Sequence, residues 1–159
     1  MADYAIRQAT SGNFEVLADL FAASVERIGP RAYSLVQVAA WTQRANGVTE
    51  FANRLGQGDI IILACNSVGD VAGYAILQPD GCIDHLYCHP DHERRGIGAG
   101  LLERCEDEAE RLGIMRLYTA ASEIARPVFG RGGYRLIGRR DFEIGGVPIH
   151  NYAMEKRLR

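Results

Sequence analysis

The chain has 159 residues, 47% of them hydrophobic and 24% charged, with a net charge of −2. That is enough length for one domain with a real core, expected over 1–159, and too little positive charge for the footprint of a nucleic-acid-binding face. No run reaches the ~18 apolar residues of a membrane span, and the opening MADYAIRQATSGNFE has no basic segment followed by an apolar one, so no signal peptide is expected. Four cysteines in a chain this long do not make a disulfide scaffold. Free thiols in a reducing cytoplasm are the expectation.

YAIRQA (4–9) alternates as a strand does. Thr10 or Ser11 then caps a helix whose stripe of Phe14, Leu17, Leu20, Phe21 and Val25 runs to the stop at Gly29-Pro30. Tyr33 to Trp41 predicts a second helix and Thr49 to Leu55 a short third. DIIILACNSVGDVAGYAIL (59–77) reads as a hairpin around residues 66–70, Pro79-Asp80-Gly81 as a turn, and CIDHLYC (82–88) as a further strand. From Ile97 the apolar positions fall at helical spacing as far as Leu112, with Gly113 where a helix C-terminus favours glycine. IMRLYTA (114–120) is a strand, and Ser122 caps a short helix through Phe129 with Pro127 near its start. Residues 134–143 and 147–156 form a closing hairpin around Gly145-Gly146. The order predicts an α/β (α+β) domain on a mostly antiparallel mixed sheet.

The stretch CIDHLYCHPDHERRGIGAG (82–100) admits two chemistries. As a metal site it fails at its widest pair: Cys82 and Cys88 on one strand lie about 20 Å apart at ~3.3 Å per residue, while Zn–S bonds are ~2.3 Å. Cys88, His89, Asp91 and His92 remain as a partial set, against the plainer reading of a core cysteine and two loop histidines. No metal is expected. As an anion cradle, Arg94 to Ala99 follows a strand and opens a helix, where unpaired N–H groups and the helix dipole favour negative charge. It is neither a P-loop nor a dinucleotide fingerprint, since GxxxxGK[ST] is absent and Leu101 stands where the last glycine of G-x-G-x-x-G would be. Spacing alone leaves the cradle and a ligand-free glycine turn equally open.

LYCHPDHERRGIGAGLL (86–102) resembles motif A of the GNAT superfamily of N-acetyltransferases, a strand, V-x-P and then [RQ]-x-x-G-x-[GA]. Cys88-His89-Pro90 stands for V-x-P. The likeness extends along the chain: YAIRQATSGNFEVLADLF resembles the first strand and helix, Val71 to Ala75 the third strand, and ASEIARPVFGRGGY (121–134) motif B. YSLVQVAAW, ASEIARPVF and NYAMEK resemble the YafP-like branch. Three positions depart from the pattern. Glu93 replaces [RQ] and puts a carboxylate at the mouth of an anion site, with Arg94 and Arg95 to offset it. Ser122 replaces the motif B asparagine. Phe129 replaces the tyrosine that often gives a proton to the departing thiolate.

The resemblance implies a GNAT-type acyl-CoA fold with splayed strands at the cofactor site and direct acetyl transfer from acetyl-CoA to a primary amine of a small molecule or peptide. A non-catalytic acyl-CoA-binding module is the alternative. It implies that N–H groups of Arg94, Arg95, Gly96, Ile97, Gly98 and Ala99 hold the pyrophosphate. The backbone of Leu86, Tyr87 and Cys88 would take the pantetheine arm, with Ser122, Ala125 and Phe129 facing it. A backbone N–H near Leu86 or Tyr87 would polarise the thioester oxygen. The amine must lose a proton. Asp84, four residues before the V-x-P position, is the expected base; its other reading is a cap on the 79–81 turn. His85 has a suitable ordinary pKa of about 6.5, but strand parity turns it away from Asp84, as a half-buried histidine. The thiolate's proton comes from water, Tyr118 or Tyr134. Arg126 or Arg131 would meet a phosphate or stay in solvent. The acceptor should lie against the helices of 10–45 and the Gly145-Gly146 hairpin, near Trp41, Tyr33 and Tyr152. A homodimer is the weak expectation from the relatives, with no nucleic acid or membrane partner.

Overall fold

A computed structural model describes residues 3–44 and 47–159. The first two residues and position 45, the end of the stretch expected to face the acceptor, lie outside the described residues. The elements follow the expected order: β1 (Tyr4–Gln8), α1 (Phe14–Ile28), α2 (Leu35–Thr42), α3 (Val48–Gly56), β2 (Ile60–Asn66), β3 (Val71–Leu77), β4 (Ile83–Cys88), α4 (Ile97–Arg111), β5 (Arg116–Ala121), α5 (Arg126–Arg131), β6 (Arg135–Ile144) and β7 (Val147–Arg157). Among the described residues no helix is long and apolar enough to cross a membrane.

The mixed sheet comes as two antiparallel sheets, one in the order β1-β2-β3-β4 and one in the order β5-β7-β6. They meet through a parallel bridge between Cys82 and Tyr118. There the Tyr118 N–H donates to Gly81 O at 3.1 Å and the Thr119 hydroxyl donates to Ile83 O at 2.7 Å. Beyond that point β4 and β5 part company.

The run IIILAC in β2 is apolar at every position because both faces of its sheet are covered. Ile62, Ala64 and Ala75 point to the α4 side, where Ile97, Leu101, Leu102 and Cys105 cover them. Ile61, Leu63, Tyr74 and Ile76 point to the other side and meet Leu17, Leu20 and Phe21 of α1 and Phe51 of α3. Each fully buried aliphatic or aromatic side chain contributes about 1.5–3 kcal/mol. The turns are set locally. Asn66 Oδ1 accepts from the N–H of Val68 and of Asp70 across the β2–β3 connection. Gly145 (φ 55°) and Gly146 (φ 83°) supply the two left-handed residues of a two-residue hairpin turn.

Candidate active site

The segment from β4 into α4 leaves a row of donors unused. After a short 3-10 turn at Pro90–His92, Arg94 adopts φ 60° and Gly96 φ 75°, the only non-glycine and one of several glycines in the left-handed region among the described residues. α4 then starts at Ile97 with no side-chain cap and no acidic residue in its first turn. None of the N–H groups from Arg94 to Ala99 donates a hydrogen bond among the described residues; the first that does is Gly100, to Gly96 O at 3.0 Å. Successive amides turned outward by left-handed residues at a helix N-terminus form a concavity for an anion.

Gly98 has a second reason to be glycine. A Cβ there would sit 3.2 Å from Val128 Cγ1, so it lets α4 and α5 approach as well as keeping the cradle open.

Glu93 is neutralised chiefly by a residue the sequence did not suggest, with the charge of Arg94 adding to the effect. Arg31, just past α1, forks onto its carboxylate through Nη1 at 2.6 Å and Nη2 at 2.7 Å. That contact holds the Glu93 carboxyl below its usual range. Arg27 pairs with Asp91 at 3.0 Å one turn earlier. The C-terminal end of α1 therefore takes both acidic side chains of the loop.

The histidines of the 82–100 stretch that follow β4 also have partners. His92 Nδ1 shares a hydrogen bond with Tyr4 OH at 2.9 Å, and His89 Nδ1 accepts from the Asp91 N–H at 3.1 Å. Among the described residues no three His, Cys, Asp or Glu side chains are placed to hold a metal ion.

Where β4 and β5 diverge lies a cavity of about 610 Å³. Of the residues expected to face a pantetheine arm, Leu86, Tyr87, Ser122, Ala125 and Phe129 line it, and Cys88 does not. The Cys88 thiol turns to the carbonyls of His89 and His92, and burial pushes it up to about 11. Since the His89 N–H bonds to Ala72 O, antiparallel alternation gives the Tyr87 amide to β3 and leaves those of Leu86 and Cys88 on the open edge. Ser122 serves the start of α5: its hydroxyl accepts from the Ala125 N–H at 3.1 Å.

The titratable groups around the cavity sort into two clusters. In the first, Arg54 joins Asp84 at 2.6 Å and Asp59 at 3.3 Å. Asp84 Oδ1 has no partner among the described residues, and the side chain lines the cavity. The 79–81 turn is capped instead by Asp80, whose Oδ1 accepts from the Cys82 N–H at 3.1 Å. His85 is buried rather than half-buried, because Phe21 of α1 and Tyr74 of β3 close over it. Its Nε2 accepts from Arg54 at 3.3 Å, leaving Nδ1–H to donate to Tyr74 OH at 2.8 Å. Burial, reinforced by the positive charge of Arg54, lowers its pKa to about 3 and keeps the ring neutral.

Of the second cluster the sequence pointed to Tyr33 and Tyr152 but not to Glu123 and His150. Glu123 accepts from His150 Nε2 at 2.6 Å and from Tyr152 OH at 2.9 Å. Tyr33 OH donates to His150 O at 3.0 Å and accepts from the Glu123 N–H at 2.8 Å. The His150 contact, first among several, holds the Glu123 carboxyl below its usual range. His150, Tyr33 and Trp41 line the cavity; Tyr152 stands behind, with Arg126 4.2 Å above its ring. The two tyrosines suggested for the thiolate are engaged elsewhere and line no part of the cavity. Tyr118 donates to Asp80, which raises it to about 12, and Tyr134 donates to Glu106 while burial raises it further.

A splayed β4–β5 pair, with a free-amide loop opening the helix between them, is the arrangement that the motif A resemblance predicts. Residues 30–156 match the family described as acetyltransferase (GNAT) domain. The chain belongs to this family. Among GNAT relatives, it is 26% identical to the uncharacterized N-acetyltransferase YafP of Escherichia coli K12, over 97% of this chain and 96% of that protein. A GCN5-related N-acetyltransferase structure from Rhodopseudomonas palustris superposes with a TM-score of 0.89 at 34% identity, covering 99% of this chain and 98% of that one. The PaiA N-acetyltransferase of Thermoplasma acidophilum, solved with coenzyme A, superposes with a TM-score of 0.79 at 17% identity over 98% of this chain and 99% of that one. The GNAT fold and the YafP-like resemblance are thereby established, and with them an acetyltransferase as the class of enzyme.

Proposed function

We propose that this GNAT protein moves an acetyl group from acetyl-CoA directly to a primary amine of a small molecule or peptide. The observation that carries the donor is the row of unpaired amides from Arg94 to Ala99, with Glu93 held off by Arg31. These residues fit a pyrophosphate, which offers acceptor oxygens to backbone donors and negative charge to the helix terminus. The open-edge amides of Leu86 and Cys88 fit the amide-bearing arm, with Ser122, Ala125 and Phe129 across the cavity. The Leu86 N–H is the donor free to stabilise developing oxyanion charge, since the Tyr87 N–H serves β3. Acetyl-CoA supplies, when bound, an acetyl group activated as a thioester.

Asp84 takes the proton of the attacking amine through Oδ1, its other oxygen being fixed by Arg54. A second reading of that step is favoured by His150: with Nε2–H bound to Glu123, its Nδ1 is a lone-pair acceptor without a partner among the described residues. With Phe129 in place and Tyr118 and Tyr134 donating to Asp80 and Glu106, none of these three side chains hands a proton to sulfur. A thiol of ordinary pKa, about 8.5, leaves as its anion without one.

Calorimetric titration with acetyl-CoA, followed by coenzyme A release with a panel of primary amines, tests the proposal. Micromolar binding and amine-dependent release are expected. No heat at millimolar acetyl-CoA would sink it, and binding without release for every amine would return the chain to the non-catalytic acyl-CoA module. Asp84→Asn and His150→Gln separate the two bases. Removing the base costs roughly a hundredfold or more in kcat with acetyl-CoA affinity intact, and the other substitution costs less than about threefold.

A further inference from the structure

The lining of the cavity is cationic although the protein as a whole is acidic. Three arginines, Arg44, Arg54 and Arg140, face it, against one carboxylate, Asp84. Arg54 and Asp84 satisfy each other. Arg44 and Arg140 pair with no carboxylate among the described residues.

These two guanidiniums come from opposite walls, Arg44 from the end of α2 and Arg140 from β6, and converge on one ring. Their Cζ atoms lie 5.6 Å and 5.7 Å from the centroid of Phe142, which also lines the cavity. Arg140 is steadied by Nη1 donating to Asn151 Oδ1 at 3.1 Å. The charge of Arg44 is felt inside the cavity, where it works against protonation of His85 and favours ionisation of Tyr87. The amides from Arg94 to Ala99 line no part of this cavity, so the pair stands apart from the proposed pyrophosphate cradle.

We propose that Arg44 and Arg140 form an anion subsite, and that the acceptor amine carries a carboxylate or a phosphorus oxyanion held there. This deepens the acetyl-transfer reading and rests on it for the word acceptor. A guanidinium presents a rigid fork of donors to an oxyanion, and an apolar ring beside it lowers the local dielectric and strengthens the contact. A plain alkylamine or a polyamine, arriving as a cation, meets repulsion from the same two groups. An amine with its own anion arrives near neutral, its charged end drawn to Phe142 and its amine left for Asp84 or His150. The subsite selects by charge and does not distinguish the two oxyanion chemistries by itself.

Coenzyme A release is measured with matched acceptors: glycine against glycinamide, β-alanine against β-alaninamide, aminomethylphosphonate against methylamine, and spermidine alone. The proposal expects the oxyanion-bearing member of at least one pair to exceed its partner without the oxyanion by about tenfold or more in kcat/KM, and to exceed spermidine. The carboxylate and phosphonate arms show which oxyanion is taken. In the Arg44→Ala/Arg140→Ala double variant the preference should shrink to less than about threefold, with the acetyl-CoA titration unchanged. Preference for an amide or for spermidine, or an anion preference that survives the double substitution, would overturn it. If no amine is turned over, N-acetylglycine and N-acetylglycinamide are titrated into the coenzyme A-saturated protein. Binding of the acid alone, lost in the double variant, upholds the subsite while the transferase reading falls. Equal binding of both, or of neither, removes the subsite as well.

Discussion

At the scale of single residues, the most informative is Glu93. A carboxylate at the entrance of a pyrophosphate cradle repels its ligand, and Arg31 cancels that charge through two hydrogen bonds. Arg31→Ala should therefore weaken acetyl-CoA binding, by roughly two- to fivefold for an exposed pair. Glu93→Gln added to it should restore the affinity, and calorimetry on the three proteins reads both effects. A loss that Glu93→Gln does not repair would mean that Arg31 itself reaches the ligand.

His85 makes a prediction about stability. Its folded pKa of about 3 lies below the ordinary value near 6.5, so the unfolded chain binds a proton that the native one refuses. The sign follows: its contribution is whole above pH 6.5 and drains away as pH falls toward 3. Between pH 7 and pH 5 that amounts to about 2 kcal/mol. Denaturant titrations at the two pH values should show this loss, and His85→Gln should show a flatter profile.

At the scale of elements, the join between the sheets rests on Gly81. Its φ is 98°, and a Cβ there would stand 2.2 Å from the carbonyl oxygen of Arg116, so the start of β5 can approach only a glycine. Gly81→Ala should cost roughly 3 kcal/mol through strain and a forced backbone shift. For a chain of this size that lowers Tm by about 10 °C, a drop that calorimetric melting would register.

The elements themselves were legible because each is written locally. The α1 stripe, the Asn66 to Asp70 turn, the Gly145-Gly146 hairpin and the Ser122 cap all depend on residues a few positions apart. The loop from Arg94 to Ala99 is as local, six consecutive residues, but its spacing left an anion cradle and a ligand-free turn equally open, and only the motif A resemblance chose between them. The long-range pairs were not legible. Glu93 and Arg31 are separated by 62 positions, and His150 and Glu123 by 27, with no spacing rule to join them. Phe142 was an ordinary strand aromatic until the fold brought Arg44 and Arg140 to it. Tyr118 and Tyr134 donate to Asp80 and Glu106, partners 38 and 28 positions away that no spacing rule supplies.

At the scale of the whole molecule, the two sheets share a short seam and then open. A ligand that pairs with the free edge of β4 while touching β5 and α5 ties the halves together. Acetyl-CoA at a hundred times its Kd should add about 2.7 kcal/mol, raising Tm by roughly 5–10 °C. A thermal scan with and without it measures this, and an unchanged Tm would mean that the native fold does not take up the ligand.

The stretch from Arg27 to Tyr33 has one further consequence. At one end Arg27 and Arg31 grip the anion loop, and at the other Tyr33 bonds both Glu123 and His150 at the far wall of the cavity. These seven residues are a lever with a load at each end, and its fulcrum is the α1–α2 corner at Gly29-Pro30. Were a substrate to shift Tyr33 and through it the hold on Glu93, a donor bound at the loop would in turn alter the setting of His150. The two binding events are then thermodynamically linked, and whatever factor the first substrate lends to the affinity of the second, the second must lend back to the first.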